Sequence, residues 1–465
     1  MSSENEKAWL PDLLYSEGRF QPDVALLCDD AGKILRIAPA HEVDHPIRLR
    51  NRALLPGLIN THSHAFQRVI RGRTEYRSSN QSDSFWTWRE QMYRAANELA
   101  PDDIYAASRM AFLEMALSGI TTVGEFHYLH NTPDGSPYDD PNLLAKAVIR
   151  AANDVGLRIA LLRVAYARAG YQKQVNPLQL RFIETSDRYL ENVSSLAAHL
   201  NSAVGLAWIG VAPHSVRAVP VDYLKEVGEF AAQHSLQIHM HVAEQPAEVS
   251  ACIEEHGRSP VALLETEGLL SDRFTAVHAI HVSSKAIGTF AKTAAMVCAC
   301  PTTERNLGDG VVPVDGYFQH GVPISLGTDS QIQIDLLEDA RELEYHLRLQ
   351  RTERNVLAPA DNDERSALAR RLFDCATVSG ARSLGFNGGN LVAGAPADFF
   401  TVALDDPSIA GSSTSDLLPC LIFSGTRAAI KDVVVAGKRL VQDGEHRGQQ
   451  EIVLPFVQLQ EKLWR

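Results

Sequence analysis

His62-Ser63-His64 closes an apolar run, residues 53–61, that reads as a buried strand. On a strand, side chains at i and i+2 leave on the same side, so both imidazoles can reach one point. Two neutral imidazoles aimed at one point are the beginning of a zinc or iron site. Three more groups stand at the ends of apolar runs: His241 in His239-Met240-His241-Val242-Ala243-Glu244, His278 in Ala276-Val277-His278-Ala279, and Asp329 in Gly327-Thr328-Asp329-Ser330. Singly, each histidine can be an ordinary hydrogen-bonded residue, and Asp329-Ser330 can cap a following helix. Jointly they share one register, and buried polar side chains need partners. His62, His64, His241 and Asp329 offer three nitrogens and one oxygen to one divalent ion per subunit, with a position left for water. Zinc fits best as a catalytic ion, and iron or manganese also suit this donor set. Such an ion brings its water toward ionisation at neutral pH, giving a hydroxide nucleophile. Asp329 can take the water's proton, Glu244 can pass a proton to a leaving nitrogen, and His278 can orient the nucleophile or the tetrahedral intermediate.

The elements that must hold these groups repeat in kind. Apolar runs at 53–64, 120–128, 158–166, 204–214, 236–244, 274–281, 294–303 and 322–329 alternate with helical stretches such as 101–118, 142–155, 220–234 and 259–267. Eight strands alternating with helices indicate an α/β fold, a parallel sheet closed as a (β/α)8 TIM barrel. Active sites in such barrels lie at the C-terminal strand ends, where these groups fall. An open doubly wound sheet is the alternative, but no Gly-x-Gly-x-x-Gly turn follows an early strand. Short strands at 24–28 and 34–37, and at 398–402 and 432–441 with a turn at Ala436-Gly437, suggest a small β-sandwich built from both termini. The expected division is 1–55 and 386–465 for the sandwich and 56–385 for the barrel.

Composition bounds the function. The chain has 465 residues, 45% hydrophobic and 22% charged, enough for a large core. A formal net charge of -13 disfavours nonspecific nucleic-acid binding. No apolar run is long enough to span a bilayer, and the first residues carry no basic stretch followed by an apolar one. The six cysteines form no Cys-x-x-Cys pair, so reduced thiols and a cytoplasmic location are expected; Cys298 and Cys300 should pack as small hydrophobes.

The run 56–64, His241-Val242-Ala243-Glu244, His278 and Gly327-Thr328-Asp329-Ser330 resemble the amidohydrolase superfamily over nearly the whole chain. His-x-x-Glu on the fifth strand resembles its aminohydrolase branch. Binuclear members use a carboxylated lysine, commonly on strand four; residues 204–214 contain no lysine, so one ion is expected, with Glu125 the remaining candidate for bridging a second. Ala65-Phe66-Gln67-Arg68, the segment 83–90 with Trp86 and Trp88, Glu125-Phe126-His127-Tyr128, His214-Ser215-Val216-Arg217 and Thr303-Glu304-Arg305-Asn306 resemble the members that act on N-formimino-L-glutamate. The resemblance implies hydrolysis of its terminal imine to N-formyl-L-glutamate and ammonia, and a homodimer. A small dicarboxylate calls for arginines, which pair with carboxylates through two hydrogen bonds. Arg217 is the first candidate and Arg89 the second, the alternative for Arg89 being a solvated pair with Glu90. Gln67, Tyr128 and His214 would orient the substrate, as the matching family positions do. Trp86 and Trp88 can close over the pocket or pack their loop, and Arg305 can serve structurally. The chain departs from the family pattern at Gln331, where a histidine is common. Two other readings stand: an aminohydrolase of a purine, pterin or triazine ring, and a non-enzymatic scaffold that binds no ion.

Overall fold

The computed structural model describes residues 6–77, 84–174, 176–202, 206–362 and 364–464. The first residues of the chain, Asp83 of the tryptophan-rich segment and Val204 at the head of the expected fourth run lie outside these. Five strands come first: β1 (Lys7–Ser16), β2 (Arg19–Pro22), β3 (Val24–Cys28), β4 (Ile34–Pro39) and β5 (Ile47–Pro56). Eight follow: β6 (Leu58–Ser63), β7 (Ile120–His127), β8 (Arg158–Ala165), β9 (Ala207–Pro213), β10 (Ile238–Val242), β11 (Phe274–His278), β12 (Met296–Ala299) and β13 (Ile324–Leu326). Four more end the chain: β14 (Phe399–Ala403), β15 (Ile430–Val435), β16 (Lys438–Gln442) and β17 (Glu445–His446).

Strands β6 to β13 pair in chain order as one parallel sheet. A parallel bridge between Ser63 and Asp329 joins its first and last members. There the His64 amide donates to the Asp329 carbonyl and the Asp329 amide to the His62 carbonyl, both at 3.0 Å. This is the barrel expected from the alternation of runs. Every residue of β6 and β7 is buried, as a sheet wrapped in helices requires. The strands from both termini form the second sheet, ordered β17-β16-β15-β14-β5-β1-β3-β4 with β2 beside β1. Its pairings are antiparallel except that of β1 with β5.

One expectation changes. The apolar run 53–64 is not a single strand. It breaks at Gly57, leaving β5 in the second sheet and β6 in the barrel. A Cβ at Gly57 would stand 2.3 Å from Thr121 Oγ1, so only glycine lets the chain pass between the sheets here. Among the described residues, no helix is long and apolar enough to cross a membrane. The last helix, Gln449–Trp464, returns to the barrel: Gln460 Nε2 and Trp464 Nε1 donate to the Val69 carbonyl at 3.0 and 3.2 Å.

Candidate active site

His62, His64, His241 and Asp329, all buried, bring one donor atom each within 4.8 Å of one another. His62 and His64 come from the end of β6, His241 from β10, and Asp329 from the residues after β13. His62 Nε2 lies 3.1 Å from both His64 Nε2 and His241 Nε2. Asp329 Oδ1 lies 3.4 Å from His62 Nε2 and 3.2 Å from His64 Nε2. His64 Nδ1 faces the Phe126 carbonyl at 2.9 Å and His241 Nδ1 the His214 carbonyl at 3.2 Å. A carbonyl can only accept, so those ring protons sit on Nδ1 and the Nε2 lone pairs converge. Burial lowers the His62 pKa to about 3, so this imidazole is neutral. Neutral lone pairs crowded at such separations repel unless a cation lies among them. Spacings just above 3 Å are those of donors about 2.0–2.1 Å from a shared centre. The set therefore fits a divalent ion.

His278 and Glu244 stand beside this cluster. His278 Nε2 is 3.6 Å from Glu244 Oε1 and 3.7 Å from Asp329 Oδ2, while its Nδ1 meets Glu304 Oε1 at 3.1 Å. Burial alone would lower the His278 pKa; Glu244, Glu304 and Asp329 outweigh it and hold the ring protonated well above its usual range. Burial raises the carboxyl of Glu244, partly opposed by His278. Asp329 and His278 both adopt positive φ, 45° and 69°. Such backbone is costly for non-glycine residues and persists where surrounding structure imposes it. Glu304 also accepts the Cys300 amide at 2.8 Å, which fixes the carboxylate that fixes His278.

A narrow cavity of about 40 Å³ opens from the donor cluster. Gln67, Tyr128, His214, Arg217, Arg89 and Glu244 line it, as do Tyr93, Tyr166 and Trp88. Gln67 Nε2 donates to Tyr128 Oη at 2.9 Å, which leaves Gln67 Oε1 buried without a partner. Arg89 is not a solvated surface pair with Glu90. Its guanidinium lies 4.4 Å from the Trp86 ring and 5.4 Å from the Tyr93 ring, with Nε and Nη1 buried and unpartnered. All five expected substrate-binding residues thus reach the same cavity as the donor cluster.

Other expectations resolve by their contacts. Asp329 caps no helix; Asp335 caps Leu336–Arg351, accepting from the Leu337 and Glu338 amides. Glu125 accepts from Ser63 Oγ at 2.5 Å and the Ala65 amide at 2.7 Å, which ties its carboxylate to the His62-Ser63-His64 backbone. Gln331 Nε2 donates to Ser63 Oγ at 2.8 Å and to the Asp329 carbonyl at 2.9 Å, bracing both ends of the seam. Arg305 pairs with Glu342 at 2.7 Å, away from the cavity. Cys298 and Cys300 are buried with Val277. Three contributors went unread in the sequence: Tyr93, Tyr166 and Glu248, whose carboxylate receives the Ala243 and Glu244 amides at 3.3 Å. Tyr93 was findable, since it follows Arg89 by one helical turn on Phe85–Glu98.

Comparison with known proteins adds to this geometry. The model of the family described as "Amidohydrolase family" matches residues 53–440. A formimidoylglutamate deiminase of Pseudomonas aeruginosa is 37% identical over 456 residues, covering 98% of this chain and 97% of the relative. A 5-methylthioadenosine/S-adenosylhomocysteine deaminase of Halobacterium salinarum is 28% identical over 452 residues, covering 96% and 92%. The crystal structure of an amidohydrolase from Brucella melitensis superposes with a TM-score of 0.91 at 33% identity, covering 99% of this chain and 100% of that one.

Proposed function

The chain belongs to the amidohydrolase family, and from that premise we propose that it is a zinc-dependent deiminase that hydrolyses N-formimino-L-glutamate to N-formyl-L-glutamate and ammonia. The observation that carries this reading is the pair of arginines, Arg89 and Arg217, lining the same cavity as His64, His241 and Asp329. Two cations beside a hydrolytic centre suit a substrate with two carboxylates and an amidine. The relative from Pseudomonas aeruginosa supports the same substrate.

His62, His64, His241 and Asp329 would hold a divalent ion, which would supply Lewis-acid activation of the attacking water. Arg217 and Arg89 hold the carboxylates and place the formimino carbon at the donor cluster. Gln67 Oε1, free of other partners, accepts a hydrogen bond from the substrate. As water adds to the formimino carbon, Asp329 accepts its proton. Glu244, protonated, delivers a first proton to the imine nitrogen. As the C–N bond breaks, the proton held by Asp329 supplies the second, the adduct's hydroxyl proton returns to Glu244, and ammonia leaves while the oxygen stays as the formyl group. His278, protonated between Glu244 and Asp329, donates to the oxygen as charge develops on it. The cavity is small at its present volume, so substrate entry requires the Phe85–Glu98 helix to shift outward while Arg89 keeps facing the site.

Ammonia release tests the reading, with zinc measured on the same sample. N-formimino-L-glutamate should be turned over in preference to S-adenosylhomocysteine, guanine and triazine rings. No ammonia from the zinc-loaded protein, or a faster reaction on a ring, would overturn it.

A further inference from the structure

The second sheet and the opposite end of the barrel form a half-open cleft of about 650 Å³. Its walls come from distant stretches: Tyr15 on β1, Arg370, Phe373 and Asp374 on the helix Ala367–Cys375, and Asn390 with Leu391. Pro56, two residues before β6 begins, also lines it. At about 3.3 Å per residue, β6 separates this cavity from His62 and His64 by on the order of 20 Å. Barrel chemistry occurs at the strand ends, and this cavity lies at the strand starts.

Polar groups here are only partly satisfied. Tyr15 is 6% exposed, and its hydroxyl meets the Arg370 guanidinium. The Arg370 Nε and Asn390 Oδ1 atoms are buried with no other hydrogen-bond partner. Arg370 lies beside both Tyr15 and Asp374, and its Nη2 is engaged by Glu364 at 2.7 Å. Burial raises the Tyr15 hydroxyl to about 12, so it is a neutral donor. Burial also raises Asp374, to about 6 with Arg370 opposing, which leaves it largely a carboxylate at neutral pH. Phe373, Val378, Leu391 and Val392 give it an apolar side, while Glu17, Arg36 and Thr377 line its rim. Buried donors and acceptors left unmade are costly, and here two donors, an acceptor and an acid face one space.

We propose that this cavity is a second ligand site, for a free α-amino acid with an apolar side chain. The carboxylate accepts from Tyr15 Oη and Arg370 Nε. The ammonium donates to Asp374 and Asn390 Oδ1, and the side chain packs on Phe373 and Leu391. Because the walls come from both the sheet and the barrel, an occupant ties the two together and stabilises the chain by mass action.

Titration calorimetry on the zinc-loaded full chain tests this with L-leucine and L-phenylalanine as probes. N-acetyl-L-leucine, which lacks the ammonium, and isoamylamine, which lacks the carboxylate, are the controls. Saturable binding of at least one probe at millimolar concentration or below is expected. Each of Arg370→Met and Asn390→Leu should weaken it by about tenfold or more, the controls should bind more weakly, and N-formyl-L-glutamate should not displace it. Thermal melting establishes that the variants fold, and Asn390→Leu carries the test if Arg370→Met does not. The proposal is overturned by no saturable heat from either amino acid, by binding that survives substitution in the folded variant, or by displacement with N-formyl-L-glutamate.

Discussion

Gly327 packs against His62 so closely that a Cβ at 327 would stand 2.7 Å from the His62 Cβ and 2.8 Å from its carbonyl oxygen. A methyl group there must push the first strand away from the last, and the donor cluster straddles that seam. Gly327→Ala is therefore expected to lose most of its zinc and at least about 100-fold in kcat/KM, the order of loss that a displacement near 1 Å brings. Metal analysis and steady-state rates check this, and a fully loaded, fully active variant would mean the seam is softer than its contacts indicate.

Glu244 and His241 should separate by what their loss removes. His241→Ala deletes a donor and should abolish stoichiometric zinc. Glu244→Gln keeps the shape of the side chain but cannot shuttle a proton, so zinc should stay while kcat falls by roughly 10²–10⁴-fold. Wild-type turnover in the Gln variant would remove Glu244 from the chemistry.

Arg217→Met and Arg89→Met each remove one charge that lines the cavity. A hydrogen bond to a charged group is worth about 1.5–3 kcal/mol, so each KM for N-formimino-L-glutamate should rise on the order of 10–100-fold. An unchanged KM in either variant would place that arginine outside the substrate contacts.

Acid stability should report on Glu184, buried against Arg163 at 2.5 Å. Burial alone would raise its pKa; His130 and Arg163 outweigh burial and bring it down to about 2, from an ordinary 4.5. A depressed carboxylate contributes stability that is complete above its unfolded pKa and is lost as pH falls through the folded value. The shift corresponds to on the order of 3 kcal/mol. In urea unfolding, Glu184→Gln should be clearly less stable than wild type at neutral pH. The gap should close as pH falls from about 5 to about 2, and a gap independent of pH would rule out the ion pair as its source.

The clustering of the four donors was legible because each ends an apolar run, and such runs are local patterns. His62, His64, His241 and Asp329 needed only the strand period and the barrel rule to be grouped. The break at Gly57 was hidden because the end of β5, residues 53–56, and β6 are both apolar, and composition does not mark which sheet a buried strand joins. Arg89 could not be placed, since its burial depends on Trp86 and Tyr93 folding the helix Phe85–Glu98 over the barrel mouth. Glu304 holds His278 from the next strand end, a relation that exists only once β11 and β12 are paired. The Tyr15, Arg370 and Asn390 cavity has no sequence signature because its walls lie far apart along the chain.

The bridge between Ser63 and Asp329 also sets a schedule. His62 and His64 leave the ribosome early, while Asp329 follows after the intervening residues, on the order of tens of seconds later. Until then the nascent chain holds histidines with no carboxylate to complete their set. Zinc captured on a half-made chain would meet two or three imidazoles and bind weakly, so loading belongs to the finished chain. Cells short of the ion should then accumulate full-length apoprotein whose seam is already closed and whose four donors are assembled but unfilled.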